Sequence, residues 1–178
     1  MIKQFVLPIS EEKRKLKELK YELYTDGSCD NIGTKHGGWA AYIIDPNKDR
    51  WLISGSAFDT TSNRMELTAI IEGLEWILSK YDDKIRKHVK IYLHSDSRYG
   101  VNLIKEWMKK WTEEGFASRP NHDLLLVLNK WSNVCQLHSN WIPRNSCDSS
   151  TLCDKTANER RLELVKRVQS SPTSSVCS

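Results

Sequence analysis

Four acidic residues lie where the sequence predicts that a strand ends or a helix begins: Asp26, Glu66, Asp96 and Asp154. Asp26 and Asp96 each follow a short apolar run that is typical of a buried strand. Glu66 and Asp154 lie near the predicted starts of two long helices. Because strand ends and helix starts of a mixed sheet commonly face one crevice, we expect the four carboxyl groups to converge there.

Clustered carboxylates repel one another unless cations lie between them. A ligand set made only of oxygen atoms favours Mg²⁺ or Mn²⁺. Two such ions about 4 Å apart can activate a water molecule and stabilise the leaving oxygen of a phosphodiester. Each acid alone also has a structural explanation, since carboxylates stabilise helix N-termini and turns. The hypothesis of metal-dependent phosphodiester chemistry therefore depends on the joint occurrence of all four acids.

The composition indicates one soluble globular domain. The chain has 178 residues, of which 28% are charged, and no apolar run reaches membrane-spanning length. Without a signal-peptide pattern we expect a cytoplasmic protein, or a nuclear one in a eukaryote, with no membrane partner. Five cysteines without a Cys-x-x-Cys pair argue against a disulfide framework and a zinc site. The net charge of +4 permits nucleic-acid binding without requiring it.

Apolar periodicity predicts an α/β fold with elements in the order βββαβααβα, a five-stranded mixed sheet flanked by helices. The predicted strands cover about residues 21–27, 37–45, 50–57, 89–94 and 136–141. The predicted helices cover about residues 62–80, 97–111, 122–133 and 152–168. Ser62 is the predicted cap of the first helix, and residues 82–88 are predicted to be a charged connector.

The same patterns divide the chain into three regions. Residues 1–20 are predicted to be an N-terminal arm with a short charged helix. Residues 21–169 are predicted to form a single catalytic domain, and residues 170–178 a serine-rich disordered tail. We expect the protein to be a monomer.

Four segments together resemble ribonuclease H of type 1: YTDGS at 24–28, TSNRMEL at 61–67, SDSRYGVN at 95–102 and CDKTAN at 153–158. They occur in the family order and with family-like spacing. The resemblance implies the RNase H-like fold and an endonuclease that hydrolyses the RNA strand of RNA–DNA hybrids, leaving 5′-phosphate and 3′-hydroxyl ends. It implies two Mg²⁺ ions, with Mn²⁺ as a substitute. The implied catalytic metal ligands are Asp26, Glu66, Asp96 and Asp154.

The resemblance also implies residues that bind the substrate. Thr61 and Asn121 match positions that grip a phosphate of the DNA strand. Ser62 and Asn63 resemble residues that read 2′-hydroxyls and base edges, and the 2′-hydroxyl distinguishes RNA from DNA. Helix capping is the alternative role of Ser62 and Asn63, and both roles are compatible.

Two aromatic residues, Tyr99 and Trp107, match positions that pack against DNA sugars. Trp107 has Leu103 and Trp111 four residues away on either side, which also fits packing in the core. Tyr99 lies three residues after Asp96 and is therefore better placed for a ligand.

The sequence departs from the family in the loop before Asp154, where many members have a histidine. The loop contains no histidine, and Arg144 and Asn145 lie near that position. Either residue can contact the scissile phosphate: arginine stabilises developing charge, whereas asparagine only forms hydrogen bonds. Ordinary polarity of a surface loop is the alternative explanation.

The basic protrusion with which many members hold hybrids is shortened to KKWTEEGFASRP at 109–120. Glu113 and Glu114 oppose its three basic residues, so we expect weaker hybrid affinity and a steep dependence on salt. Two further departures affect the substrate contacts: Asp59 stands where some members have arginine, and Asn31 lies one residue before the family's loop asparagine.

Two other functions fit the same fold. One is a module that binds hybrids without cleaving them, although binding alone gains nothing from clustered carboxylates. The other is a different nuclease, similar to a resolvase or an integrase, because a fold does not determine function. The TSNRMEL segment at 61–67 argues against this second alternative.

Overall fold

The computed structural model describes residues 19–170 and contains one five-stranded mixed sheet. Its strands are β1 (Lys20–Cys29), β2 (Gly37–Ile44), β3 (Arg50–Ala57), β4 (Lys90–Ser95) and β5 (Gln136–Trp141). They lie in the order β3-β2-β1-β4-β5. The first three strands form an antiparallel meander, whereas β4 and β5 run parallel to β1. The predicted α/β fold with a five-stranded mixed sheet is confirmed.

Helices cover both faces of this sheet. They are α1 (Ser62–Leu78), α2 (Asp83–Arg86), α3 (Arg98–Asn102), a π-helical turn (Leu103–Trp107), α4 (Met108–Glu114), α5 (His122–Ser132) and α6 (Asp148–Ser170). Successive residues of a strand face opposite sides of its sheet. On one side, Leu23 and Ile43 belong to the main core with residues of α1 and α5. On the other side, Ala40 packs against Cys153 and Ala157 of α6.

Helix α1 forms because apolar residues recur on the face that it turns toward the sheet, and nine of its residues are buried. Its cap is Thr61, whose hydroxyl oxygen accepts a hydrogen bond from the Arg64 N–H at 3.3 Å. The prediction that Ser62 caps this helix is therefore wrong. Ser62 is the first helical residue, and its hydroxyl oxygen accepts a hydrogen bond from the Asn31 side chain instead.

The helix predicted over residues 97–111 is interrupted by the π-helical turn at Leu103–Trp107. A π-helical turn leaves no separate signature in apolar spacing, so the sequence pattern shows one continuous helix there. The connector predicted over residues 82–88 contains the short helix α2. The Asp82 carboxylate caps it by accepting a hydrogen bond from the Ile85 N–H at 3.0 Å.

Helix α6 begins at Asp148, four residues before the predicted start. The hydroxyls of Ser150 and Thr151 donate hydrogen bonds to the Cys147 carbonyl, at 2.9 Å and 3.0 Å, and stabilise this polar first turn. Because this turn contributes little apolar periodicity, the sequence pattern does not reveal it. Asp154 consequently lies in the second turn of α6 and does not open the helix.

The predictions for residues 1–18 and 171–178, which cover most of the arm and the tail, lie outside the described residues. Lys20, the last residue of the predicted arm, is the first residue of β1. Among residues 19–170, no helix combines the length and the apolar character that crossing a bilayer requires.

Candidate active site

Three of the four predicted acids meet at one edge of the sheet. Tyr24 of β1 pairs with His94 of the parallel strand β4, so Asp26 and Asp96 lie at equivalent positions two residues further on. Glu66 reaches the same point from α1. One carboxylate oxygen from each of Asp26, Glu66 and Asp96 lies within 4.8 Å of the other two. The three groups are therefore close enough to bind one cation together.

Glu66 reaches this position because Gly27 lets α1 approach the backbone of β1. A methyl group on Gly27 would lie 2.3 Å from the Glu66 nitrogen and 2.5 Å from the Met65 carbonyl carbon. Only a residue without a side chain fits at such a distance. The Gly27 N–H also donates a hydrogen bond to the Asp26 carboxylate at 2.9 Å. Gly27 thus fixes both the helix and the first acid.

Burial and mutual repulsion raise the pKa values of these acids. Asp26 is only 6% exposed, and burial, followed by the charges of Asp96 and Asp154, raises its pKa to about 7. Burial and then the nearby Asp26 and Asp96 raise the pKa of Glu66 well above its ordinary value. Burial also raises the pKa of Asp96, against the opposing effect of Arg144. Their ionised forms are therefore destabilised and need positive charge nearby.

The donor set of the three acids fits a divalent metal ion. The buried oxygens Asp26 Oδ2 and Glu66 Oε2 have no hydrogen-bond partner among residues 19–170. Leaving such atoms without a partner is costly unless something satisfies them. A hard divalent cation bound by carboxylate oxygens would satisfy both atoms and offset the repulsion.

Asp154 borders the same crevice but is not one of the three clustered acids within the described part of the chain. The Arg144 guanidinium forms an ion pair with its carboxylate. The residues that line the crevice are Thr25, Asp26, Asp96, Ile142, Arg144, Asn145, Ser150 and Asp154.

Helix α6 is held beside the acids by contacts that sequence reasoning missed. Asn158 donates a hydrogen bond to the Asp154 carbonyl at 2.9 Å and accepts one from the Ser28 hydroxyl at 2.8 Å. Gly38 permits the close approach of the helix, since a methyl group there would lie 2.2 Å from the Ala157 carbonyl oxygen. Ser28 and Asn158 both lie in the segments that resemble type 1 ribonuclease H, and this resemblance is the sequence feature that points to them.

The loop before α6 places Arg144 and Asn145 at the crevice. Asn145 adopts a left-handed backbone conformation with a φ of 52°, which asparagine tolerates better than most residues. Although it pairs with Asp154, the Arg144 side chain is 64% exposed. It therefore borders both the acids and the solvent from which a substrate would approach.

Residues predicted to contact the substrate surround the start of α1. Thr61 and Asn63 are exposed, whereas Ser62 is half-buried. Ser62 and Asn31 form two hydrogen bonds, from the Asn31 side-chain nitrogen to the Ser62 hydroxyl at 2.9 Å and from the Ser62 N–H to the Asn31 side-chain oxygen at 3.1 Å. Asn31 therefore anchors the first turn of α1 despite its shift from the family position.

The two predicted aromatic contacts, Tyr99 and Trp107, lie next to each other with ring centroids 6.1 Å apart. Trp107 also stacks on Trp111 at 5.5 Å. All three residues are half-buried and pack against the main core. This packing favours the structural explanation of Trp107, while a contact with DNA sugars stays a prediction for both Tyr99 and Trp107.

Asn121 caps α5 in a left-handed conformation with a φ of 60°, and its side chain makes no capping hydrogen bond. In the shortened protrusion, Glu114 pairs with Arg119 at 2.7 Å and with Lys110 at 3.7 Å. These pairs reduce the positive charge that the protrusion offers to a polyanion. Asp59 is exposed and has a positive φ of 43°.

Comparisons with known proteins agree with this geometry. The RNase H family model matches residues 18–161. A ribonuclease H of Thermoanaerobacter sp. (strain X514) is 37% identical over 149 residues, covering 78% of this chain and 88% of that protein. A ribonuclease H of Campylobacter jejuni is 33% identical over 146 residues, covering 82% of this chain and 93% of that protein.

Solved structures show the same fold. LC9-RNase H1, described as a type 1 RNase H with the type 2 active-site motif, superimposes with a TM-score of 0.68 at 22% identity, covering 81% of this chain and 72% of its own. LC11-RNase H1, solved in complex with an RNA/DNA hybrid, gives a TM-score of 0.63 at 19% identity, with coverages of 82% and 99%. Together with the matched segments and the clustered acids, these similarities confirm the resemblance: the chain belongs to the ribonuclease H family.

Proposed function

We propose that this protein is an endoribonuclease that hydrolyses the RNA strand of RNA–DNA hybrids and leaves 5′-phosphate and 3′-hydroxyl ends. The observation that carries the proposal is the cluster of Asp26, Glu66 and Asp96, with two buried oxygens that lack partners. Its membership of the ribonuclease H family and the fold that it shares with a hybrid-bound RNase H support the choice of substrate.

Enzymes of this family use divalent metal ions, and the ion proposed here is Mg²⁺, two per site, with Mn²⁺ as a substitute. Asp26, Glu66, Asp96 and Asp154 would hold the ions. When bound, the ions would supply positive charge to the phosphate and lower the pKa of a water molecule. The protein's own task is to hold its carboxylates in place, and Gly27, Ser28 and Asn158 contribute to this through the contacts described above.

The remaining predicted contacts divide between the two strands of the hybrid. Thr61 and Asn121 are proposed to bind a phosphate of the DNA strand, and Tyr99 and Trp107 to pack against its sugars. Ser62 and Asn63 are proposed to read the RNA strand through its 2′-hydroxyls. A monomeric state and a cytoplasmic location stay predictions.

The decisive experiment is a Mg²⁺ titration with three matched substrates of the same sequence: an RNA–DNA hybrid, double-stranded RNA and double-stranded DNA. We expect Mg²⁺-dependent cleavage of the hybrid alone, at the RNA strand, because the site combines a metal-binding cluster with residues suited to reading 2′-hydroxyls. Binding of the hybrid without cleavage would instead identify a binding module. Cleavage of double-stranded DNA would identify a different nuclease on this fold.

Replacing Arg144 by alanine is expected to lower kcat by roughly tenfold to a hundredfold, the usual cost of losing one group that stabilises charge in a transition state. Arg144 also lowers the pKa values of Asp26 and Asp96, so its loss raises them. The acidic limb of the profile of kcat/KM against pH should therefore move to higher pH. The measurement is that profile between about pH 5 and 9.

Arg144→Lys keeps the positive charge and should retain part of the activity, while losing the fork geometry of the guanidinium. Arg50→Ala is the matched control, since Arg50 is an exposed arginine at the start of β3. A pH profile and a kcat that stay unchanged in Arg144→Ala would show that Arg144 is only a polar loop residue.

A further inference from the structure

Arg64 stands where a basic side chain is electrostatically unfavourable. It lies in the first turn of α1, and this turn contains no acidic residue. The N-terminus of a helix carries partial positive charge, so an arginine there opposes the helix dipole. Such an unfavourable charge at a helix N-terminus is expected to be offset by a favourable interaction elsewhere in the fold.

The compensation comes from the first turn of a different helix. Both terminal nitrogens of Arg64 donate hydrogen bonds to the Asp123 carboxylate of α5, at 3.0 Å and 2.7 Å. This arginine lowers the pKa of Asp123 to about 2, so the pair stays ionised throughout the physiological range. Paired bonds of this kind fix orientation as well as distance between two groups.

The pair contributes little to stability because it is solvent-exposed. The side chains of Arg64 and Asp123 are 33% and 51% exposed, and such pairs typically contribute about 0–1 kcal/mol. The pair joins the first turns of two helices that are far apart in sequence and that contribute to the same core. Thr61 lies one turn before Arg64, and Asn121 lies two residues before Asp123.

We infer that the Arg64–Asp123 pair is a positioning device that sets the spacing between Thr61 and Asn121, and hence the affinity for the DNA strand of the hybrid. The inference rests on the proposed function, in which these two residues bind one DNA-strand phosphate. A phosphate held from two separate helices requires a fixed distance between them, and misplacement by about 1 Å is costly. Other contacts, between Asn31 and Ser62, already hold α1 against the loop after β1.

The direction in which hybrid affinity changes when Asp123 loses its charge distinguishes a positioning role from simple electrostatic attraction. Asp123→Asn removes a negative charge near a polyanionic ligand, so attraction alone predicts tighter binding. Positioning predicts weaker binding, because the paired hydrogen bonds from Arg64 to the Asp123 carboxylate are lost. Glu163→Gln is the matched control: Glu163 forms a comparable pair with Arg160 at 2.7 Å on α6, and its loss changes the net charge equally.

The experiment measures hybrid Kd in EDTA, and KM and kcat in Mg²⁺, for Arg64→Gln, Asp123→Asn and the double variant. We expect Kd and KM to rise about tenfold in each single variant, the size of one lost charged hydrogen bond. The double variant should be no weaker than either single variant, since all three lose the same pair. Because the acids are untouched, kcat at saturation should change less than about threefold.

Asp123→Glu retains the charge but is longer by one methylene, so it should bind the hybrid less tightly than the wild type and more tightly than Asp123→Asn, while thermal melts check that every variant is folded. The inference is overturned if Asp123→Asn binds as tightly as Glu163→Gln, if the effects of the single variants add in the double variant, or if folded Asp123→Glu is as weak as Asp123→Asn. Failure of the proposed function looks different, because the wild type itself would then leave the hybrid uncut, and that result overturns both.

Discussion

Asp26→Asn is expected to abolish hybrid cleavage, with a loss of at least about a thousandfold in kcat, while hybrid binding is retained. The amide keeps the oxygen that accepts the Gly27 N–H but removes the charge at the centre of the acid cluster. Binding should be equal or slightly tighter, since one negative charge near the phosphates is gone. The measurements are single-turnover cleavage in Mg²⁺ and fluorescence anisotropy with a labelled hybrid in EDTA.

The same variant should be more stable than the wild type without metal. Burial raises the pKa of Asp26 to about 7, so its neutral form is favoured in the folded protein. Metal-free wild type therefore loses stability as the pH rises from about 4, where the unfolded chain releases this proton, through about 7. The loss is roughly 4 kcal/mol above that range. Asp26→Asn lacks this loss, so its advantage should be largest at pH 8 and absent below pH 4.

Thermal melts in EDTA and in Mg²⁺ test this pH dependence. Mg²⁺ should raise the melting temperature of the wild type and have little effect on Asp26→Asn, because a ligand stabilises only the state that binds it. Asp49→Asn is the charge-matched control, since Asp49 is exposed and lies in the turn before β3. Metal-dependent cleavage by Asp26→Asn would remove the catalytic assignment. If the melting temperatures of Asp26→Asn and the wild type were equal at every pH, the charge of Asp26 would not be what lowers the stability of the metal-free protein.

The convergence of three acids could be predicted because it follows from regular structure. Asp26 and Asp96 follow apolar runs that become adjacent parallel strands, so their positions are equivalent as soon as the strand order is known. The prediction that Asp26 ends its strand is wrong, because β1 continues to Cys29 through its pairing with β2. Glu66 follows from the helical spacing that begins at Ser62. Local sequence patterns therefore predict the positions of residues that lie on regular strands and helices and meet at one edge of the sheet.

The surroundings of Asp154 could not be predicted in this way. They depend on the left-handed conformation of Asn145, on the pairing of Arg144 with Asp154, and on a hydrogen bond between Ser28 and Asn158 across 130 residues of sequence. None of these contacts follows from periodicity, because loops and tertiary packing decide them. For the same reason, no sequence pattern predicts the ion pair between Arg64 in the first turn of α1 and Asp123 in the first turn of α5.

Gly27→Ala is expected to lower kcat/KM by about a hundredfold or more, although it adds only one methyl group. That group would lie 2.3 Å from the Glu66 nitrogen and 2.9 Å from its Cα, which are backbone atoms with no freedom to rotate away. Helix α1 must therefore move away from β1, and Glu66 moves with it out of the acid cluster. Overpacking of this kind also costs about 1–3 kcal/mol of stability. Steady-state kinetics and thermal melts measure the two effects.

Gly73→Ala is the control that separates stability from geometry. Gly73 lies in the same helix, and a methyl group there would lie 2.6 Å from the Leu23 side chain, at a distance from the acids. It should lower stability in EDTA less than Gly27→Ala does, because the Leu23 side chain can adjust, and it should leave Mg²⁺ affinity, measured by calorimetry, within about twofold of the wild type. Gly27→Ala should lose most of that affinity, because the ion needs the Glu66 oxygen beside those of Asp26 and Asp96. If Gly27→Ala bound Mg²⁺ and cleaved the hybrid as Gly73→Ala does, the close approach of α1 to β1 would not be what places Glu66.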